Sequence, residues 1–456
     1  VVTLNFTGEA EPTGAGFQLL DSNGDLREPA EAITEDGKTW TLRFDPAVAG
    51  GTVGLRWSVQ APDAHPISGS FSFTVTAGTA ATTQTQGTPD AKGIPAGSGG
   101  DLDSFLEVEG DDTGAGDRLG ALGRVVTLLG TLLGVGALVF AATALRGTPR
   151  DVRHVMHWVR RAGVLVLVGA FLELIAQLSV AGGGWSGVWS PATVVSVVGS
   201  SFGIAIGLRL LGGVALLVGA RLDTAPAVDL RDPVAAITDR VRVGAGVHAD
   251  QSGRSRGHRL GPGAEAHAHP GEHAWAPTTE SSMAFLGAAA LLAAHLFDGH
   301  TVTKGPRLVT AAVNVVHVAG AAVWAGGVAM LLVVLWRRHR EGRASRAAQL
   351  ALRFSVVATL AIVAVGAAGV LLAVIILDSP SELWATEWGR LLIAKTVFVV
   401  AAAAAGAYNH RVLVPQMSRD PDSPELSTRF RSVITVEAAA LLVVLILTAF
   451  LMGAAS

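Results

Sequence analysis

The stretch GGTVGLRWSVQAPDAHPISGSFSFTV, residues 50–75, decides how the first part of the chain folds. Val53, Leu55, Trp57 and Val59 alternate with small or polar neighbours, and Phe71, Phe73 and Val75 do the same after a break. A period of two puts each set on one face of a sheet. The break carries Asp63 and His65, two residues apart. In extended backbone such residues project to the same side, so a carboxylate and an imidazole can share one cation. That donor pair suits Cu(II) or Zn(II), whereas soft Cu(I) prefers sulfur. The chain contains no Cys and its first Met is Met156, so thiolate sites and thiol redox chemistry are excluded, and a thioether site is excluded in this region.

Outward from this stretch the same pattern recurs. Val2, Leu4 and Phe6 alternate, as do Trp40, Leu42 and Phe44, and the turn signals DSNGD (21–25), EDGK (35–38) and AGG (49–51) separate the runs. Residues 1–77 therefore predict an all-β sandwich of about five strands. Alternation is already under way at Val2, so the expectation is a partial sandwich whose first segment precedes Val1. Residues 78–118 read as a flexible linker. GTAATTQTQGTPDAKGIPAGSGG (78–100) has no apolar period, and DLDSFLEVEGDD (101–112) adds an acidic run read as a solvated spacer.

The remainder, 119–456, has a different character. Half of the 456 residues are apolar and 16% are charged, which is too apolar for a purely soluble chain. Eight runs are long enough to cross a hydrocarbon core of about 30 Å. They lie at roughly 121–145, 162–181, 202–220, 281–298, 310–336, 352–377, 391–410 and 433–453, with 188–201 read as an outer-surface or re-entrant segment. The expected fold is thus a β-sandwich followed by an all-α polytopic bundle of about eight transmembrane helices, with the lipid bilayer as its partner.

Basic residues set the expected orientation. Arg146, Arg150, Arg153, Arg160 and Arg161 lie between spans 1 and 2, and Arg337, Arg338, Arg340, Arg343, Arg346 and Arg353 between spans 5 and 6. The loop 182–191 has no Lys or Arg. This predicts a multi-pass protein of the cytoplasmic membrane, with the sandwich outside and the 223–280 loop in the cytoplasm. That loop carries His267, His269 and His273, a cluster able to hold Zn or Cu. A net charge of −3 argues against nucleic acid as a partner. No G-x-x-x-x-G-K-[ST] run is present, which argues against ATP-driven pumping by this chain.

Ionisable residues inside a bilayer are expensive and are the first candidates for function. His317 lies in span 5, with Asn314 one turn above on the same face and Trp324 two turns below. Span 4 ends in His295, Asp298 and His300. Glu173 and Gln177 share a face of span 2, Arg209 and Lys395 sit in the outer halves of spans 3 and 7, and Glu437 lies near the inner end of span 8. Fixed positive charge repels a cation, so Arg209 and Lys395 are assigned structural roles, either snorkelling or pairing with Glu173 or Glu437. The candidate metal ligands are Asp63, His65, His295, His300 and His317. No catalytic constellation and no organic cofactor site is read, so the chain is not expected to be an enzyme.

Residues 50–75 resemble the C-terminal half of the CopC copper-binding domain in Trp57, Asp63, His65, Pro66, Gly69, Phe71, Phe73 and Val75. The resemblance implies a cupredoxin-like sandwich whose Cu(II) is held by Asp63 and His65 together with an N-terminal His. Residue 1 is Val, and no other His precedes His154, so the third ligand is missing from this sequence. Three later stretches resemble CopD, the inner-membrane partner of CopC. They are DGHTV (298–302) with VNVVHVAGAAVWAGGVAMLL (313–332), WGRLLIAKTVFVVAAAAAGAYNHRVLVP (388–415), and RFRSVITVEAAALLVVLILTAFL (429–451). The resemblance implies copper uptake, with the outer domain delivering Cu(II) to a permease-like bundle. Two other readings stay open: a copper-delivery, assembly or haem-binding redox membrane protein, and a non-transporting subunit of a larger membrane complex.

Overall fold

The structure is a computed structural model that describes residues 1–6, 9–60, 66–76, 102, 105–106, 114–222, 228–229, 273–275, 281–297, 307–343, 346–377, 379–421 and 423–454. Its first part holds seven strands among the described residues. They are β1 (Val2–Asn5), β2 (Glu11–Leu20), β3 (Leu26–Arg27), β4 (Glu31–Thr34), β5 (Thr39–Arg43), β6 (Gly51–Gln60) and β7 (Pro66–Val75). Two antiparallel sheets form, in the orders β1-β5-β4 and β3-β2-β6-β7. The alternating residues do face one core, built from Leu4, Phe17, Leu19, Trp40, Leu42, Val53, Leu55 and Val59. The Trp40 indole N–H finds its partner there, donating to the Ala10 carbonyl at 2.8 Å.

The strand count exceeds the expected five for physical reasons. The pairing of β2 with β6 shifts register between Pro12 and Phe17, which breaks its alternation. Strand β3 is only two residues long, and β4 turns Ile33 outward, 56% exposed. One residue of the 50–75 stretch is explained by pairing alone. Gly69 lies opposite Trp57, and a Cβ at Gly69 would overlap the Trp57 ring, so only glycine fits there. Three residues of the acidic run pack on this domain. Leu102 and Phe105 cover Gly54, the Arg56 guanidinium sits 5.0 Å from the Phe105 ring centre, and Ser70 Oγ donates to the Leu106 carbonyl at 2.7 Å.

Helices dominate the rest. They are α1 (Gly114–Thr143), α2 (Pro149–Ala181), α3 (Pro191–Gly199), α4 (Ser201–Leu222), α5 (Ser282–Ala294), α6 (Arg307–Ala321), α7 (Gly327–Arg340), α8 (Ala347–Ile376), α9 (Glu382–Ala385), α10 (Glu387–Tyr408), α11 (Val414–Arg419) and α12 (Pro424–Ala454). A π turn at Ala322–Gly326 joins α6 to α7 and another at Asn409–Leu413 joins α10 to α11, so each pair runs on as one rod. Among the described residues seven helices are long and apolar enough to cross a membrane. The eighth expected span, 281–298, is represented by the shorter α5. Three two-residue strands, β8 (Arg146–Gly147), β9 (Val228–Asp229) and β10 (His273–Ala274), pair in the order β8-β10-β9.

Helix α1 contributes Val135, Leu138, Phe140 and Ala141 to a shared core with Val155, Val159 and Val166 of α2 and Met330, Leu331 and Val334 of α7. Segment 185–199 is a 3-10 turn followed by α3. Its Val197 packs on Leu178 and Ala181, while Trp189, Val195 and Val198 point outward. An apolar outward face on a short, uncharged helix suits the headgroup boundary of a bilayer.

Candidate metal pathway

His317 lies on α6 and is half-buried. Its Nδ1 is 3.1 Å from the Val365 carbonyl of α8. A carbonyl only accepts, so Nδ1 carries the proton and the lone pair of the neutral ring resides on Nε2. Histidines that ligate metals are oriented in this way, with one nitrogen tied to a backbone carbonyl and the other free to bind. The ring edge rests against Gly369, also on α8. Lys395 of α10 is near enough to act on the ring electrostatically.

His295, the residue after α5, is almost fully buried. Its backbone carbonyl accepts a hydrogen bond from Asn314 Nδ2 at 3.4 Å. Asn314 is one turn from His317 on α6, so the end of α5 and the His317 segment are adjacent. Arg209 of α4 acts electrostatically on His295, and its charge is answered within the same region. Arg209 Nη1 donates to Glu173 Oε2 at 2.6 Å, and Thr127 Oγ1 donates to Glu173 Oε1 at 2.5 Å. The pair of Arg209 with Glu173 is one of those the sequence offered.

Glu437 of α12 is met differently. Trp324 Nε1, in the first π turn, donates to Glu437 Oε1 at 3.1 Å. The Asn409 amide, in the second π turn, lies within reach of the same carboxyl group. Neither its Oδ1 nor its Nδ2 makes a hydrogen bond of acceptable geometry. The sequence placed Trp324 and Glu437 in separate runs and gave no sign that they meet. The available signal was a single polar residue, Asn409, closing a long apolar run of α10.

A further cluster went unread. Asp151, at the start of α2, is buried and accepts from the Thr148 N–H at 3.1 Å, from Arg338 Nη2 at 3.0 Å and from Arg343 Nη2 at 2.8 Å. Arg338 also donates to the Arg146 carbonyl at 2.9 Å. The arginines that set the expected orientation thereby tie the start of α2 to the end of α7. The sequence carried a cue in the T-x-x-D spacing of Thr148 and Asp151 before an apolar run.

Of the five candidate ligands, His295 and His317 are described, whereas Asp63, His65 and His300 lie outside the described residues. Strands β6 and β7 are paired up to Gln60 and Pro66, on either side of the segment that carries Asp63 and His65. His267 and His269 also lie outside, while His273 pairs with Gly147 and Asp229 in the small sheet. Among the described residues no three His, Cys, Asp or Glu side chains converge as a metal-binding group.

Comparison with known proteins divides the chain in the same way. Residues 1–76 match the CopC domain. Residues 116–238 match the family described as copper resistance protein D-like, N-terminal domain, and residues 348–451 match copper resistance protein D. The chain is 39% identical to inner membrane protein YebZ of Escherichia coli (strain K12) over 111 residues, which is 24% of this chain and 37% of YebZ. It is 29% identical to copper transport protein CutJ of Bacillus subtilis (strain 168) over 117 residues, 26% of this chain and 22% of CutJ. The matched segments thus span well under half the length of either relative. No solved structure matches the chain. With a CopC domain at one end and both parts of a copper resistance protein D behind it, the chain belongs to the fused CopC–CopD family of copper resistance proteins.

Proposed function

We propose that this chain takes up copper across the cytoplasmic membrane, its outer domain holding Cu(II) at Asp63 and His65 and delivering it to the helical bundle. The observation that carries the reading is the presence of the CopC domain and both CopD segments on one polypeptide. CutJ, similar over part of its length, is a copper transport protein. The donor chemistry agrees: residues 1–76 offer carboxylates and one imidazole but no sulfur, a set suited to Cu(II). In the bundle, His317 is the receiving ligand, its Nδ1 held by the Val365 carbonyl, with His295 and His300 as further ligands. The arginine-rich ends of α2 and α7 face the cytoplasm, which puts the sandwich outside.

Two variants in cells with no other copper uptake test the order of events. Asp63→Ala with His65→Ala is expected to slow accumulation at low external copper and to spare it at high copper, because the outer domain only concentrates the ion. His300→Ala is expected to weaken accumulation at every concentration. Equal loss in both variants at high copper would contradict a delivery role for the outer domain.

A further inference from the structure

The Glu437 neighbourhood has no part in the pathway just described. Glu437 is 4% exposed and sits close to the midpoint of α12. Such a group in a bilayer is normally paired with a cation, shielded by several donors, or uncharged. Among the described residues no charged or titratable group acts on Glu437 from α1, α7, α10 or α11; its polar neighbours are the Trp324 indole and the Asn409 amide. The indole and the amide are both neutral, so no fixed cation balances a charge on this carboxyl group.

Asn409 supplies the second observation. It is 6% exposed and its amide lies against the Glu437 carboxyl group, yet among the described residues neither side-chain polar atom makes a well-aligned hydrogen bond. An amide offers a donor and an acceptor on one group. It can accept from the protonated carboxyl and, after rotation, donate to the ionised one. Glycine lets α10 approach the carboxyl group closely. Gly406, on the turn of α10 before Asn409, faces the carboxyl group, and a Cβ there would lie 3.0 Å from Glu437 Oε1. Trp324 and Asn409 both lie in π turns, an irregularity concentrated at functional sites.

We infer that Glu437, Trp324 and Asn409 form a proton-binding site in the membrane, with Trp324 fixing Oε1, Oε2 taking and releasing the proton, and Asn409 following the change. A second metal station fits poorly. The indole N–H is a donor and not a ligand, and one carboxylate with one amide oxygen offers nothing to Cu(I) and too few ligands for Cu(II). The step is simple: a hydronium ion gives its proton to Oε2 and leaves as water, the negative charge disappears, and the reverse restores it. Trp324 is two turns along the same rod from His317, about 10 Å at 1.5 Å per residue. The proton site is therefore mechanically continuous with the candidate metal ligand, and proton release at Glu437 would accompany copper passage. That coupling rests on the copper-uptake reading, whereas the proton site does not.

The test is pH-dependent infrared difference spectroscopy of the purified full chain in lipid, followed by simultaneous copper and proton flux in liposomes. A protonated-carboxyl band that titrates is expected. It should vanish in Glu437→Gln and shift in Asn409→Leu, with equal protein abundance and unchanged thermal midpoint in the isosteric Gln variant as the folding control. A spectrum with no titrating band removed by Glu437→Gln overturns the site. Copper flux accompanied by proton flux, with the proton flux lost in Glu437→Gln, supports the coupling. Copper flux with no proton flux overturns the coupling. A titrating Glu437 band in a wild-type chain that moves no copper would support the proton site while removing the copper-uptake reading.

Discussion

Glu173 and Glu437 are buried to nearly the same degree, 5% and 4% exposed, in one apolar bundle, yet their surroundings are opposite. Glu173 has a guanidinium at 2.6 Å and a hydroxyl donor on its other oxygen. Glu437 has one indole donor and a neighbouring amide that, among the described residues, makes no well-aligned hydrogen bond. Burial alone therefore does not tell a structural carboxylate from a working one. What separates them is whether the charge is neutralised by a fixed partner, which locks the protonation state, or left for a mobile proton to neutralise.

Removing the fixed partner should have the largest effect. Arg209→Met leaves Glu173 buried and uncompensated and is expected to destabilise the chain by about 3–5 kcal/mol, whereas Arg209→Met with Glu173→Gln should recover most of that. Thermal unfolding of the detergent-solubilised chain reads both. A stable Arg209→Met would mean that Glu173 is uncharged, and the contrast would collapse. Next in size is the coupling between Thr127 and Glu173. A double-mutant cycle with Thr127→Val and Glu173→Leu, run on the Arg209 background, should give about 1.5–3 kcal/mol, the range for a bond to a charged acceptor. The matching cycle with Trp324→Phe and Glu437→Leu should give only about 0.5–1.5 kcal/mol, the range for a neutral acceptor. Coupling energies of equal size would place a charge on both carboxylates. The smallest effect belongs to Glu437→Gln alone, within about 0.5 kcal/mol of wild type because an acid is replaced by an amide of the same shape. A loss of several kcal/mol would assign Glu437 a structural role.

The same contrast marks what could be read from the chain. Glu173 and Arg209 were legible as a possible pair because an ionised group in an apolar span demands a partner and few partners exist. Trp57 and Gly69 were legible as parts of a motif, but their cross-strand contact required the register of β6 on β7. The meeting of Trp324 with Glu437 spans 113 residues, and no local period encodes a contact between helices that far apart. The two π turns were invisible for a related reason. Their sequences, AVWAG and NHRVL, continue a helical pattern, and the extra residue per turn emerges only when neighbouring helices set the packing. The alternation of β2 is hidden by its register shift, and Asp151 is hidden because its partners Arg338 and Arg343 lie nearly two hundred residues away.

The claim on which the account turns is that copper crosses the membrane through His317. Uptake of radioactive copper into liposomes by the purified full chain measures it most directly, with wild type and His317→Ala incorporated to the same level. The account predicts copper accumulation by wild type and none above protein-free liposomes for His317→Ala. Equal initial rates in the two preparations would make His317 a packing residue tied to Val365 and would contradict the pathway.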